Sequence, residues 1–258
     1  MIESGLYCYA LAGDLAGENL AEETGIEGGP LRTVEHEGLV AVVSEVDLAE
    51  FGEEGLRRNL EDLAWLEAVA TAHDRVVRLV ADLAPTAPLR LATIFLSEQG
   101  VRDRLVEWQR PARQALDRIR DAREWSVKVY ADPAPAAPDP APGTPVPEGP
   151  GAGRAYLLGR RAAAQARNRS VEDGVRAAEA VHERLTAAAA DSQRLAPQDR
   201  RLTGHVGEMV LNGAYLVPDT ETAGFQALIE ELATDQPGVR VESAGPWAPY
   251  SFARLEDS

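Results

Sequence analysis

The sequence predicts an α+β protein of two domains, in which helices cover one face of each sheet. The chain has 258 residues, which favours two domains of ordinary size over one. Runs of β-type residues alternate with stretches at helical spacing on both sides of a tract rich in proline and alanine. We therefore expect an N-terminal domain over residues 1–131, a linker over 132–153, a C-terminal domain over 154–244 and a tail over 245–258.

The composition is that of a folded, soluble protein with an acidic surface. Hydrophobic residues make up 45% and charged residues 26% of the chain, close to the average of globular proteins. The 42 acidic and 26 basic side chains give a formal net charge of −16, which disfavours binding to nucleic acid or anionic lipid. No stretch approaches the roughly 20 apolar residues of a spanning helix. The acidic Glu3 stands where a secretory signal is basic, so we expect a cytoplasmic protein.

Three β-type runs open the N-terminal half. Gly5–Leu11 is one strand, and Leu31–Val46 is a hairpin whose turn is Glu37-Gly38. The second arm of the hairpin, Leu39–Val43, is almost wholly apolar. We expect this arm to be a central strand that is buried on both faces.

A long amphipathic helix, broken once, is predicted from Glu53 to about Leu83. Its apolar residues recur three or four positions apart, at Leu56, Leu60, Leu63, Leu66, Val69, Val76, Val80 and Leu83. Pro85 and Pro88 mark its end. The apolar run Leu89–Leu96 then predicts another strand.

The next helix is predicted to begin at Ser97, whose hydroxyl is a natural N-cap. Pro111 interrupts it, so we expect a second helical piece with Pro111 in its first turn. The run Trp125–Tyr130 returns to a strand that closes the first domain, with Trp125 as a structural residue.

The C-terminal half begins with a long helix over residues 154–191, rich in alanine and arginine. A strand at Met209–Val217, a helix at Thr222–Ala233 and a strand at Val239–Ala244 follow as a β-α-β unit. With a short strand near residues 193–195, this order fits a ferredoxin-like topology. The first strand of that topology is not evident in the sequence.

His73 is the histidine that suggests a catalytic hypothesis. It lies on the apolar stripe of the long helix, next to Asp74. Adjacent helical residues point about 100° apart, so the two side chains cannot converge on one proton. We expect a partly buried structural histidine, hydrogen-bonded to a strand close to Arg90. The alternative is an enzyme or small-ligand regulator built around His73 and Arg90 on a ferredoxin-like scaffold.

Other signatures of catalysis or cofactor binding are missing from the sequence. Cys8 is the single cysteine, which excludes a disulfide framework and a CxxC site. The remaining histidines lie far apart and show no metal-ligand spacing. The single lysine, Lys128, is not part of a phosphate-binding loop. We therefore expect no catalytic residue, no metal and no cofactor.

One basic cluster contrasts with this acidic chain. Arg154, Arg160, Arg161, Arg167 and Arg169 lie at the start of the helix predicted for the second domain. The cluster could dock an acidic partner or pair with acidic residues of the chain itself. Arg154, Arg160 and Arg161 are interface candidates on this basis.

The tail begins with an aromatic run, Gly245–Phe252, of sequence GPWAPYSF. Two prolines prevent it from continuing a helix or a central strand, so it forms a stiff ribbon with three rings to bury. The rings pack either across the two domains of the chain or in another protein. Trp247, Pro249, Tyr250 and Phe252 are therefore interface candidates.

The same run resembles the GPWPPYSF signature of the gas vesicle protein F/L (GvpF/GvpL) family, with Ala248 in place of a proline. In a second block, PLRLATIF, Leu91 and Ala92 stand where the family usually has Phe and Gly. The resemblance covers nearly the whole chain except the linker. Further blocks in the family order are Gly5–Tyr9, Glu124–Val129, Gly153–Leu157 and Leu211–Val217.

The resemblance implies two domains, each a variant ferredoxin-like α/β sandwich, with the C-terminal tail packing between or beside them. It implies a non-enzymatic accessory or minor structural protein that takes part in gas vesicle assembly. The implied partners are the small gas vesicle shell protein (GvpA type) and other gas vesicle accessory proteins. The implied location is the gas vesicle, with the gas-facing side of its wall as one position, and the cytoplasm before assembly. Scaffolding without assembly activity is a third interpretation.

Overall fold

The fold is known from a computed structural model that describes residues 4–13, 15, 20–132, 152–198, 207–236 and 238–253. The chain divides into two compact units. One comprises Met1–Glu124 with Pro246–Ser258, and the other comprises Trp125–Gly245. Both combine helices with a sheet, which confirms the α+β class. Most of the predicted linker, residues 133–151, lies outside the described residues.

The nine strands of the described residues agree with most of the β-type runs. They are β1 (Ser4–Ala12), β2 (Arg32–His36), β3 (Leu39–Asp47), β4 (Thr86–Pro88), β5 (Ile94–Phe95), β6 (Ala122–Ala131), β7 (Asp191–Arg194), β8 (Glu208–Pro218) and β9 (Val239–Trp247). The α-helices in the same ranges are α1 (Leu48–Phe51), α2 (Glu53–Asn59), α3 (Leu63–Ala81), α4 (Glu98–Arg118), α5 (Ala152–Ala188) and α6 (Thr222–Asp235).

The first unit is built on an antiparallel sheet of order β2-β3-β1-β4, in which β5 pairs with β1. The predicted hairpin is confirmed as β2 and β3. Its turn residues Glu37 and Gly38 have φ values of 47° and 75°, as a tight two-residue hairpin turn requires. A bulge in β1 places Cys8 opposite Val43 and Ala10 opposite Val42, which leaves Tyr9 as the extra residue.

Both faces of the first sheet are buried, which confirms the prediction for Leu39–Val43 and corrects the expectation of helices on one face only. One face carries Tyr7, Val40 and Val42, which form a core with Phe51 of α1 and residues of α3. The opposite face includes Cys8 and is equally buried, and α4 packs against β2 and β3. The near-continuous apolar runs of β1 and β3 require this second cover.

The long helix of the first unit is broken once, as predicted, between α2 and α3. The carboxylate of Asp62 caps α3 by accepting from the backbone N–H groups of Ala64 and Trp65. Leu60 and Leu63 flank the break and are 49% and 79% exposed, although their spacing had placed them on the apolar face. Leu60 is the C-cap residue of α2 and Leu63 is the first residue of α3, so both lie at helix ends.

Two predictions for the middle of the chain are wrong. Helix α4 runs without interruption through Pro111, because Ala112, Ala115 and Leu116 stay buried with the earlier apolar residues of the helix. The run Leu89–Leu96 is not one strand, because the chain turns between β4 and β5, where Ala92 has a φ of 60°.

The second unit has the element order β6-α5-β7-β8-α6-β9 and the strand order β7-β8-β6-β9. Strand β6 contains the predicted strand Trp125–Tyr130 and is the first strand of this unit, since the units divide after Glu124. The core combines β6, β8 and β9 with α5 and α6, and includes Trp125, Leu185, Tyr215 and Phe225.

Candidate functional site

The aromatic run begins in the last strand of the second unit and continues in the first unit. Its first residues complete β9, which ends at Trp247. This strand lies at an edge of its sheet, the position in a sheet at which a proline such as Pro246 is tolerated. From Pro246 onward the chain belongs to the first unit, in which Ala248 joins the core. The expectation that this run could not continue a central strand is therefore compatible with its place at a sheet edge.

A hydrogen-bonded clamp fixes the tail on the first unit. The carboxylate of Glu124 accepts from the backbone N–H of Ser251 at 2.6 Å and from its hydroxyl at 2.7 Å. Arg118 donates to the carbonyl oxygen of Phe252 at 3.2 Å. Ser251 and Phe252 are 8% and 1% exposed, and Pro249 is also buried. Pro249 and Phe252 therefore serve the interior of this unit.

Two aromatic residues of the tail keep an outer surface. The guanidinium of Arg78 lies 4.5 Å from the ring centroid of the half-buried Trp247. Tyr250 is 36% exposed, and its hydroxyl donates to Asp74 at 3.4 Å. Asp74 also pairs with Arg78 at 2.5 Å. Partial burial, with the neighbouring Asp74 carboxylate, raises the pKa of Tyr250. Trp247 and Tyr250 are the interface candidates of the tail that a partner can reach.

His73 is part of a buried polar network. It is 4% exposed, and its Nδ1 lies 3.0 Å from the hydroxyl of Tyr7 on β1. That hydroxyl accepts from the backbone N–H of Ala92 at 3.0 Å. Burial lowers the pKa of His73 to about 4, although the Asp74 carboxylate and the Leu89 backbone oppose the shift. The ring is therefore neutral at physiological pH.

The two side chains considered with His73 for a catalytic site, Asp74 and Arg90, do not converge on it. Asp74 faces Arg78 and Tyr250 instead of the imidazole. Arg90 is exposed while His73 is buried, although the Leu89 backbone approaches the ring. The second polar group on this face, the hydroxyl of Tyr9, accepts from the Ile26 N–H at 2.7 Å. The arrangement is a packed network rather than an open cleft.

The basic cluster lies on the first half of α5. Arg154, Arg160 and Arg161 are exposed there. In the second half of the helix, Val181 and Leu185 are fully buried in the core of the second unit. The arginines are thus available to a partner, whereas the later turns hold the helix to its sheet.

Sequence reasoning missed the clamp on the tail. Glu124 begins one of the family-like blocks, but nothing near it in sequence indicates that it meets Ser251, which is 127 positions away. Arg118 similarly reads as an exposed helical arginine. The available signal was a buried acidic residue within a strand, and it required knowledge of burial.

Searches for metal and membrane sites give no candidate in the part of the chain that the structure describes. No group of three or more histidine, cysteine, aspartate or glutamate side chains is placed to hold a metal ion there. None of the helices in these ranges combines the length and apolar character needed to cross a bilayer.

Comparisons with known proteins agree along almost the whole chain. The family described as gas vesicle synthesis protein GvpL/GvpF matches residues 5–254. Gas vesicle protein L of Streptomyces sp. (strain CB03234) is 38% identical over 252 residues, covering 97% of this chain and 93% of that protein. Gas vesicle protein L2 of Halobacterium salinarum is 24% identical, covering 96% and 90%.

A solved structure shows the same fold. The crystal structure of GvpF from Microcystis aeruginosa superposes with a TM-score of 0.67 at 17% identity, covering 97% of this chain and 99% of that one. The family match and the 38% identical relative each extend over both units. The chain therefore belongs to the GvpL/GvpF family of gas vesicle proteins.

Proposed function

We propose that this protein is a gas vesicle accessory or minor structural protein that takes part in vesicle assembly without catalysing a reaction. The observation that carries the proposal is the family match over residues 5–254, which includes both units and the aromatic run. The buried, neutral His73 supports the non-enzymatic part, because its polar neighbours are hydrogen-bonded within the fold.

The proposed partners are the gas vesicle shell protein (GvpA type) and other accessory proteins. Shell subunits that enclose a gas must present apolar surface, which promotes aggregation before assembly. A protein with a net charge of −16 that binds such subunits keeps the complex dispersed. The proposed location is therefore the cytoplasm before assembly and the vesicle afterwards, with the gas-facing side of the wall as the specific position to test.

The proposed contact on the first unit is the outer surface of Trp247 and Tyr250. Both are large, rigid side chains that keep exposed area while their backbone is fixed by the clamp at Ser251. Such pre-organised aromatic residues lose little conformational freedom on binding. Pro249 and Phe252 support this surface from the interior and are not themselves contacts.

We further propose that the units are ferredoxin-like. The second unit supports this with the order β-α-β-β-α-β. The first unit is proposed to be a variant, because the residues described between β1 and β2 form short 3₁₀ turns at Leu20–Glu22 and Ile26–Gly28.

The test is a pull-down of the tagged full chain against co-expressed shell and accessory proteins, with Trp247→Ala and Tyr250→Ala as variants. Deleting the whole run would be ambiguous, since Ala248 and Phe252 are core residues. Trp108→Ala is the matched control, because Trp108 is also half-buried, with the guanidinium of Arg104 5.2 Å from its ring centroid.

We expect the tail variants to reduce capture of at least one gas vesicle protein by about tenfold or more, as loss of an aromatic hot spot does. The Trp108 variant should retain capture. Circular dichroism and thermal melting must show that all three variants remain folded. Failure of the parent chain to capture any gas vesicle protein would contradict the proposed function. Unchanged capture by both tail variants would reject only the aromatic contact.

A further inference from the structure

Helix α5 is packed along only part of its length. Among the residues of α5 whose burial is described, the buried ones are Gly174, Ala178, Val181 and Leu185. A Cβ atom at Gly174 would lie 2.6 Å from the Cβ of Ala131, so helix and strand approach closely there. By contrast, each side chain that the structure describes from residue 154 to residue 169 is exposed. At 1.5 Å per residue, residues 154–169 extend about 25 Å, and the side chains described along this length are exposed.

The arginines of the two halves differ in their partners. In the second half, Arg176 pairs with Asp173 and Arg184 pairs with Glu231 at 2.9 Å. In the first half, no ion pair to another described residue is made by Arg154, Arg160, Arg161 or Arg169. The sequence from 152 to 171 also contains no acidic residue, within a chain of net charge −16. Among the described residues, therefore, no ion pair compensates this local positive surface.

Three of the exposed arginines, Arg154, Arg161 and Arg169, share one face of the helix. Helical spacing places Arg154, Leu158, Arg161, Gln165 and Arg169 within about a 100° arc, since they are separated by three or four residues. Leu158 is 55% exposed. We call these five residues the basic seam. It combines three positive charges with one apolar contact over about four turns.

We propose that the basic seam binds an acidic amphipathic helix of another gas vesicle protein, with carboxylates spaced three or four residues apart around a small apolar residue. This spacing matches the arginines turn by turn, and the apolar residue meets Leu158. A second copy of this chain is disfavoured, because two molecules of charge −16 repel each other. The inference rests on the proposed function, which places the partner among the gas vesicle proteins.

A site-specific cross-link tests the proposal on the full chain. Cys8 is fully buried, and burial raises the pKa of its thiol to about 12, so it does not react with maleimides. A Gln165→Cys substitution then supplies the reactive thiol in the middle of the basic seam. The Gln165→Cys protein is labelled with a benzophenone maleimide and is then irradiated together with the co-expressed gas vesicle proteins. Gln226→Cys, at an exposed position of α6, is the matched control.

We expect the Gln165 probe to cross-link a peptide rich in aspartate and glutamate from a different gas vesicle protein, at least about fivefold above the Gln226 probe. The yield should fall at least about fivefold in R154Q/R161Q/R169Q. It should remain in R57Q/R102Q/R240Q, which removes three exposed arginines elsewhere. It should also fall as NaCl is raised from about 0.1 M to about 1 M.

Three results would overturn the inference: a neutral or basic cross-linked peptide, a cross-link to a second copy, or equal yields in the two triple variants. The parent pull-down separates this inference from the proposed function. If the parent captures gas vesicle proteins but the Gln165 probe cross-links none, the basic seam is rejected and the function stands. If the parent captures none, both are rejected.

Discussion

Ala92 links backbone conformation to the buried network of the first unit. Its φ of 60° lies in the left-handed region, which favours glycine, and the family-like block usually has glycine at this position. The conformation directs the N–H of Ala92 to the hydroxyl of Tyr7, which in turn meets His73. Ala92 therefore adopts a strained backbone conformation in which its N–H can donate to the hydroxyl of Tyr7.

We predict that Ala92→Gly raises the free energy of unfolding by up to about 1 kcal/mol, because the left-handed conformation penalises a Cβ atom. Urea denaturation of both proteins measures the difference. Ala68→Gly, at an exposed position inside α3, should instead lower the free energy by about 1 kcal/mol. Equal losses in both variants would show that Ala92 is not strained.

We predict that His73 makes stability depend on pH. Its pKa is about 4 in the folded chain and about 6.5 unfolded, so the unfolded chain binds the extra proton between these values. The contribution of the neutral His73 to the free energy of unfolding is therefore fully present above about pH 6.5. It is lost as the pH decreases toward 4, by on the order of 3 kcal/mol. His73→Gln should lose less stability than the parent over this window, measured by urea denaturation. Identical pH profiles would contradict the prediction.

The sequence predicted the environment of His73 but not its partner. Helical spacing between Val69 and Val76 indicates burial, and both neighbours are in the core. The hydroxyl of Tyr7 lies 66 positions away, and its direction depends on the strand face. Local pattern carries no information about that pairing.

At the scale of elements, helix α4 shows packing overriding a local break signal. Pro111 lacks the N–H that would bond to the carbonyl of Glu107 one turn earlier. The helix continues because Leu105, Ala112 and Leu116 are buried on the same side of it. The burial of apolar side chains over five turns of α4 stabilises the helix by more than the one missing hydrogen bond destabilises it.

We predict that Pro111→Ala stabilises the protein by about 1–2 kcal/mol. Removing an interior proline recovers about 3 kcal/mol in the helix, offset by about 1 kcal/mol from the freer unfolded chain. The thermal midpoint should rise accordingly. A lower midpoint would mean that contacts of the half-buried proline ring outweigh both effects.

Elements that are specified by residues close together in the sequence were predicted well. Elements that depend on backbone conformation or on distant contacts were not. The hairpin follows from Glu37-Gly38, and α3 follows from its apolar spacing. The run Leu89–Leu96 failed because hydrophobicity does not reveal the positive φ of Ala92. Apolar content predicts burial there, but not a straight strand.

At the scale of the whole molecule, the first unit combines distant parts of the chain. Residues 246–253 complete its core after the chain has formed the entire second unit. Glu124 and Ser251 join these parts through two short hydrogen bonds to a buried carboxylate. Charge-assisted bonds of this kind are about twice as strong as neutral ones.

We predict that Glu124→Gln lowers the free energy of unfolding by about 1–3 kcal/mol, because the amide presents a donor to the Ser251 donors. Ser251→Ala should cost about 1 kcal/mol, and the double variant less than the sum. Hydrogen exchange should quicken in the peptides of α4 and the tail, and not in α6. Additive losses without that local change would reject the clamp.

The division of the chain was the least predictable feature. Trp125–Tyr130 reads as a strand from sequence, and β6 confirms it. Its membership of the second unit depends on pairing order, which is set by contacts across more than a hundred residues. Sequence patterns of period two or 3.6 do not encode such contacts.

The interleaved first unit has a consequence for synthesis on the ribosome. Ala248 and Phe252 emerge only after every residue of the second unit has been translated. A nascent chain that stops earlier carries an N-terminal segment whose core is open, and such segments are recognised by chaperones and proteases. The first unit can therefore complete its core only after translation has passed residue 252.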